Sequence, residues 1–492
     1  VSTSPSPSLK DQALSSLIFV SLSKAVKIGC SFGSLVILTR LLSPSDFGII
    51  AMVTPVLVFI GIFQGMGIVQ ATVHHDDITD HERRALFTVA VLSGFGIAAL
   101  LVLCAPLISA FYRNEHAGYV LAASGLVAIV TGLGLQHKAN LNRDLKFKHL
   151  SMIETVSSLG GLAAGIAFAL AIGNFWALWL SSLSSALITL IGIRLADSWR
   201  PHLNFDFKSA KKLLNFGQMV AASQFLAFLS RNADNMILGR MATAAMLGQY
   251  SRAYQLVVFP LQNVNMPISQ VFLPVLSRKR HDMAAYRAIY LKIIGGLSMA
   301  MVAPLLVVAY YATSVTLYLF GPGWGPAGEM LMWLALTVSY QVVTSTNGLA
   351  FISLGKPETM FNWSKFGAPF TVCCFLIGAQ WGAQGVAISY FVAETVKTPI
   401  LLKLISHHAG IPYFDLVLAY LPSAAAGAVA ILLSHLVFGP SLPSFLVLVV
   451  VLAITIVLSG AANCLLPRHR RVIAEVFVYA RSKIPGSAQR SA

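Results

Sequence analysis

Two sets of polar residues interrupt apolar stretches of this chain at helical spacing. Lys24, Lys27, Ser31 and Ser34 recur at i, i+3, i+7 and i+10, and Gln224, Arg231, Asp234 and Asn235 form a second stripe; residues spaced in this way share one face of a helix. A lysine or arginine fixed in an apolar stretch can bind an anion, because its N–H groups replace the hydration that the anion gives up. A carboxylate in such a stretch, Asp234 here or Glu394 further on, can carry a proton or hold a cation. Structural readings stand beside these. Arg231 and Asp234, three apart, can neutralise each other, and Glu394 can pair with Lys397 one turn on. Arg40, Arg240 and Arg252 stand near the ends of apolar runs, where a guanidinium reaches the interface or lines the mouth of a cavity. Glu154 sits near the start of a run and is expected at the interface.

Spacing excludes other chemistry. His74-His75-Asp76-Asp77 followed by Asp80-His81-Glu82 has no regular metal-ligand spacing and reads as a solvated loop. Gly355-Lys356-Pro357 lacks the Ser or Thr after the lysine and the glycine five residues before it that a phosphate loop needs. The five cysteines all lie in apolar stretches, and their odd, irregular set reads as packing. No cofactor or metal is expected. Any uphill transport would have to draw on an ion gradient or on consumption of the substrate elsewhere.

The elements that must position these groups follow from composition. Of the 492 residues 57% are hydrophobic and 11% charged, with a mean hydropathy of +0.76; a soluble domain carries about 25% charged residues. A soluble enzyme is excluded. Apolar runs long enough to cross about 30 Å of hydrocarbon as helices start near residues 15, 48, 85, 117, 150, 175, 213, 249, 290, 328, 364, 383, 414 and 443. The expectation is an all-α polytopic membrane protein of about 14 transmembrane helices.

The formal charge of +16 is mostly a topology signal. Of the 34 Lys and Arg residues, 27 fall in one alternate set of loops, and the opposite loops hold Arg40, Arg113 and Arg240. Basic loops stay on the cytoplasmic side, which places both termini there and needs no nucleic-acid partner to explain the charge. Arg40 to Gly48 and Arg240 to Gly248 share one spacing at an offset of 200, and Gly173-Asn-Phe-Trp-Ala pairs with Gly382-Ala-Gln-Gly-Val at an offset near 209. Spans 1–6 then repeat as spans 7–12 in the same orientation, a transporter plan with substrate held between the halves. At the offset of 200 the two polar stripes fall on equivalent faces, so that the halves would enclose a hydrated, cationic lumen. The expected organisation is a disordered tail over 1–12, an N-lobe over 13–200, a C-lobe over 201–410, two added spans over 411–467 and a basic tail over 468–492.

Several strings carry a family resemblance: Leu41-Leu-Ser-Pro-Ser-Asp-Phe-Gly-Ile-Ile-Ala-Met, Leu141-Asn-Arg-Asp-Leu-Lys-Phe, Arg231-Asn-Ala-Asp-Asn-Met-Ile-Leu-Gly-Arg240, Tyr250-Ser-Arg-Ala-Tyr-Gln-Leu and Gly382-Ala-Gln-Gly-Val-Ala. Over about residues 12–405 the chain resembles the polysaccharide transporter family of bacterial lipid-linked oligosaccharide flippases, of the Wzx type typified by colanic acid and succinoglycan exporters. The resemblance implies the multidrug/oligosaccharidyl-lipid/polysaccharide (MOP) exporter fold, two six-helix lobes in a MATE-like V with two additional C-terminal helices. It also implies alternating access in the bacterial inner membrane, with an undecaprenyl-pyrophosphate-linked repeat unit as substrate. Polymerase and chain-length proteins of the same pathway are the implied protein partners. On this reading Lys24, Lys27 and Arg231 meet the anionic head group, with Gln224 and Asn235 beside them, and Asp234 positions Arg231 or carries a coupling proton.

Two other classes of protein fit the residues less well. A multidrug or cation antiporter of the same fold wants acidic or aromatic groups in its cavity, whereas the deep charges here are mostly basic. A glycan polymerase or ligase needs a sizeable outer loop, and the loops from Pro440 to Pro443 and from Gly321 to Gly328 do not supply one. The chain is therefore expected not to be an enzyme.

Overall fold

The computed structural model describes residues 9–74, 78–206, 232–440 and 444–464. Among them the chain forms helices and connecting turns and no strand. In order these are α1 (Leu9–Leu41), α2 (Pro44–His74), α3 (Asp80–Tyr112), α4 (Glu115–Arg143), α5 (Phe147–Ile172) and α6 (Trp176–Ala196). α7 is described over 232–241. There follow α8 (Ala244–Arg278), α9 (Met283–Tyr310), α10 (Ala312–Phe320), α11 (Gly325–Thr344), α12 (Asn347–Ser353), α13 (Pro357–Gly378), α14 (Gly382–Ala409), α15 (Tyr413–Phe438) and α16 (Phe445–Cys464).

Among the described residues, eleven stretches are long and apolar enough to cross a membrane, one of which, Pro357–Ala409, holds α13 and α14 in succession. The expected spans correspond to α1–α6, α8, α9, α11 and α13–α16, and the run expected from near residue 213 lies largely outside the described residues. The two short helices α10 and α12 were not anticipated: of 9 and 7 residues, they are too short to show in a span-length window. α1 begins at Leu9, inside the tail expected over 1–12, because Leu9, Lys10 and Gln12 are good helix formers that extend the helix beyond its apolar run.

Local chemistry sets the helix ends. Thr79 caps α3 through a reciprocal capping box with Glu82, and the Asn114 side chain accepts from the first N–H groups of α4. Inside α8, Pro260, Pro267 and Pro274 recur every seven residues, each removing one backbone hydrogen bond from the ladder.

The chain divides into two compact units, Val1–Ser251 and Arg252–Ala492. The division falls inside α8, not at the 200/201 boundary expected from counting spans. In the first unit α3 packs along α4, α4 also meets α2 and α6, and α5 lies against α1 and α6. In the second, α9 packs on α15, α11 and α16, and α14 on α11 and α13. The segment expected as an addition over 411–467 thus packs, as α15 and α16, onto the core of the second unit.

One contact within the first unit accounts for where the division falls. A Cβ added to Gly48, near the start of α2, would land on the carbonyl of Ala244, and one added to Gly248, near the start of α8, on that of Pro44. The two backbones meet directly, which ties the beginning of α8 to α2. The pairing is reciprocal under a shift of 200, 44 with 248 and 48 with 244, as a twofold relation between repeated segments requires. Local structure repeats as well: α1 and α7 end at Leu41 and Met241, a two-residue turn follows, and the next helices begin at Pro44 and Ala244. Gly173 and Gly382, paired at the other offset, both take positive φ, at 67° and 73°.

Glycine at the crossing yields a prediction in which the sign of the effect depends on position. Gly48→Ala and Gly248→Ala should each destabilise the protein by about 1–3 kcal/mol through overpacking. Gly29→Ala and Gly61→Ala, which meet open space, should be neutral or stabilising by up to about 1 kcal/mol, since alanine is the better helix residue. Denaturant unfolding in detergent measures all four, and equal effects at the two sets of positions would contradict the close crossing.

Candidate functional site

In the first unit, α1 presents Lys24 and Lys27 half-buried, one turn apart. The structure assigns them different surroundings. The Lys27 ammonium donates to Glu154 Oε2 on α5 at 2.6 Å, and Lys138 at the end of α4 donates to Glu154 Oε1 at 3.2 Å. Glu154 is therefore not simply an interfacial carboxylate; it ties three helices together with two lysines on its two oxygens. Lys24 has no ion-pair partner among the described residues. The cluster of three lysines and one glutamate keeps an excess of positive charge in the half-buried part of the unit.

Asp234 is 3% exposed. Its Oδ2 accepts from the hydroxyl of the fully buried Tyr250 at 3.0 Å, and its Oδ1 from the backbone N–H of Asn235 at 2.8 Å. Two donors at good distance compensate a carboxylate in an apolar surrounding. The Asn235 side-chain oxygen is buried without a partner among the described residues. Gln224 and Arg231 lie outside the described residues. Arg40 and Arg240 occupy equivalent, exposed positions in the last turns of α1 and α7. Arg252, in the third turn of α8, donates to Gln255 at 2.6 Å.

Spacing along the chain did not point to a buried polar network joining α2, α4 and the end of α6. His137 is fully buried and its Nδ1 lies 2.8 Å from Asp197 Oδ2, while Arg194 Nη1 lies 2.9 Å from its Nε2. A guanidinium can only donate, so Nε2 accepts and the ring proton sits on Nδ1, facing Asp197. The same carboxylate accepts from Asn140 Nδ2 and from the Trp199 backbone N–H, each at 3.0 Å. Gln136 donates to Thr72 and to Asn140, and Arg143 donates to the Thr72 carbonyl. The signal was present in Gln136, His137 and Asn140, which with Lys138 put four polar residues within five positions near the end of an apolar run; intramembrane polar residues of this kind generally face a partner helix.

In the second unit Glu394 and Lys397 form an ion pair at 2.6 Å, with side chains 9% and 13% exposed. Lys397 also donates to Thr371 on α13 at 2.8 Å. The pairing considered for Glu394 at i+3 is therefore present, and α14 carries it into a polar cavity beside α11 and α13.

These features define a polytopic helical membrane protein whose deep charges are mostly compensated in pairs and networks. Residues 37–329 match the family described as polysaccharide biosynthesis protein, and the chain belongs to that family. It is 22% identical over 398 residues to the lipopolysaccharide biosynthesis protein WzxC of Escherichia coli strain K12, spanning 80% of both chains. It is 24% identical over 432 residues to the succinoglycan biosynthesis transport protein ExoT of Rhizobium meliloti strain 1021, spanning 86% of both. Its fold matches the inward closed conformation of the lipid II flippase MurJ with a TM-score of 0.75 at 14% identity, over 91% of this chain and 99% of that one. The fold is that of the MOP exporters.

The buried network makes a prediction of its own. Asp197→Ala strands the donors of His137, Asn140 and Trp199 and leaves Arg194 without a nearby counter-charge, so it should destabilise the first unit by about 3 kcal/mol. Asp197→Asn, which keeps an acceptor, should cost less. The comparison is Asp144→Ala, at an exposed position, and equal shifts in unfolding midpoint for the two alanine variants would contradict the network's structural weight.

Proposed function

We propose that this protein is a lipid-linked oligosaccharide flippase. Its substrate would be a polysaccharide repeat unit on undecaprenyl pyrophosphate, moved from the cytoplasmic to the periplasmic leaflet by alternating access. Membership of a polysaccharide biosynthesis family, and relatives described as lipopolysaccharide and succinoglycan biosynthesis proteins, support the substrate class. The observation that carries the mechanism is the half-buried Lys24 of α1, a cation with no ion-pair partner among the described residues, beside a Lys27–Glu154–Lys138 cluster with excess positive charge. A pyrophosphate crossing hydrocarbon must exchange its hydration for fixed N–H donors, and ammonium groups at this depth provide them. Arg231 is assigned the same role from its place in the family's motif, with Gln224 and Asn235 beside it. Arg40, Arg240 and Arg252 are assigned to the cavity mouth.

Lys27 differs from Lys24 in holding a carboxylate already. An arriving pyrophosphate would compete with Glu154 for it, so Lys27 and Lys138 act as a pair whose counter-ion is exchanged during binding. The proposal asks no side chain to make or break a bond. It places the protein in the bacterial inner membrane with both termini in the cytoplasm, following the basic loops. Coupling to H+ or Na+ falls first to Asp234, buried with neutral donors on its oxygens among the described residues, and less to Glu394, which is already paired with Lys397.

Replacing Lys24 tests the assignment in cells. Lys24→Ala should lower polymer production about tenfold and Lys24→Glu should abolish it, with lipid-linked repeat unit retained on the cytoplasmic side, while Lys24→Arg keeps most of it. Normal polymer from the alanine and glutamate variants would overturn the role of this residue. In vesicles, Asp234→Asn should remove the dependence of flipping rate on an imposed ion gradient without preventing downhill movement. Unchanged gradient dependence in that variant would move the coupling site elsewhere.

A further inference from the structure

The polar cavity of the second unit is not accounted for by head-group binding. It holds about 240 Å³ among α11, α13, α14 and the start of α12, and only one of its nine lining residues, Leu401, is aliphatic. Sites for drug-sized ligands run about 300–1,000 Å³, so this one suits a smaller guest. Five side chains give it its chemistry: the amides of Gln341 and Asn347, the indole of Trp363, and the Glu394–Lys397 pair. Glu394 lies 12 residues into α14, about 18 Å along the helix axis at 1.5 Å per residue. The cavity therefore sits at the depth of the hydrocarbon, where a polar hollow is costly unless something polar fills it.

Charge decides what can fill it. A bare cation would meet the Lys397 ammonium, and a phosphate would meet the Glu394 carboxylate. The two are matched at 2.6 Å, so the cavity is polar and near neutral. Amide groups on such a surface offer both donors and acceptors. The half-buried Trp363 supplies a flat apolar face with a donor at its edge. One class of guest needs all of these together: a neutral ring with hydroxyls around its rim and C–H groups on its faces.

We propose that this cavity is a monosaccharide-recognition subsite, in which Trp363 stacks on a sugar ring and Gln341 and Asn347 read its hydroxyls. The inference rests on the flippase reading and deepens it: Lys24 and its neighbours hold the pyrophosphate common to all such donors, whereas this cavity selects among sugars. The Glu394–Lys397 pair would hold α14 in register against α13 through Thr371 and present charge-assisted hydrogen bonds to the ring.

Binding by the purified full chain separates the two ideas. The probes are the lipid-linked repeat unit extracted from the producing host and undecaprenyl pyrophosphate without sugar. The wild-type chain should bind the sugar-bearing donor about tenfold more tightly. Trp363→Ala and Asn347→Ala should lose that advantage while their affinity for the sugar-free lipid stays within about twofold of wild type, and Trp363→Phe, which keeps a stacking face, should recover most of it. Equal wild-type affinity for the two probes would overturn sugar recognition and leave the pyrophosphate carrier standing. A parallel loss of both probes in Trp363→Ala and Asn347→Ala would assign the cavity a structural role and overturn the inference. No wild-type binding of either probe would overturn the flippase reading and this inference with it.

Discussion

No water reaches the hydrocarbon of a bilayer, so a polar group there must find its partner inside the protein. This constraint explains why the described residues form helices, which close their backbone hydrogen bonds within one segment. It also explains how the chain treats its deep side chains. Asp234 takes the Tyr250 hydroxyl and a backbone N–H; Asp197 gathers donors from His137, Asn140 and Trp199; Glu394 takes Lys397; Glu154 takes two lysines at once. With so much compensation in place, a half-buried cation without an ion-pair partner among the described residues stands out, as Lys24 does.

The compensated groups also divide the labour of the fold. The His137 network holds the ends of α2, α4 and α6 in register with a fixed proton position, so it acts as scaffold. The Lys27–Glu154–Lys138 cluster is only half-buried and can exchange its counter-ion, so it can take part in binding. Near the other ends of these helices the reciprocal contact of Gly48 and Gly248 lets α2 and α8 cross backbone to backbone, a contact that a side chain at either position would prevent. Rigid packing at one end and exchangeable charge further along suit a body that must bind a large amphiphile and release it.

Part of this was legible in the sequence. Apolar run length gave the spans, because a helix of about 20 residues is fixed by bilayer thickness, and the shared spacing of Arg40–Gly48 and Arg240–Gly248 corresponds to matching helix–turn–helix segments. Helical periodicity showed which residues share a face but not which helix that face meets. Lys27 and Glu154 are 127 positions apart, and His137 and Asp197 are 60 apart; only packing brings them together. The polar cavity of the second unit was hidden for the same reason, since Gln341, Trp363 and Lys397 come from three helices and none is unusual in its own segment. The pair of Glu394 with Lys397 was legible because it lies within one turn of one helix.

The central claim is that the chain carries a sugar-bearing pyrophosphate lipid across the bilayer. It is tested most directly by reconstituting the full chain into vesicles that hold the host's lipid-linked repeat unit in both leaflets and treating them with a membrane-impermeant glycosidase. The account predicts that the inner-leaflet pool becomes accessible over time in vesicles containing the wild-type chain, and remains protected in empty vesicles and in those containing Lys24→Glu. An inner pool that stays protected with the wild-type chain would contradict it.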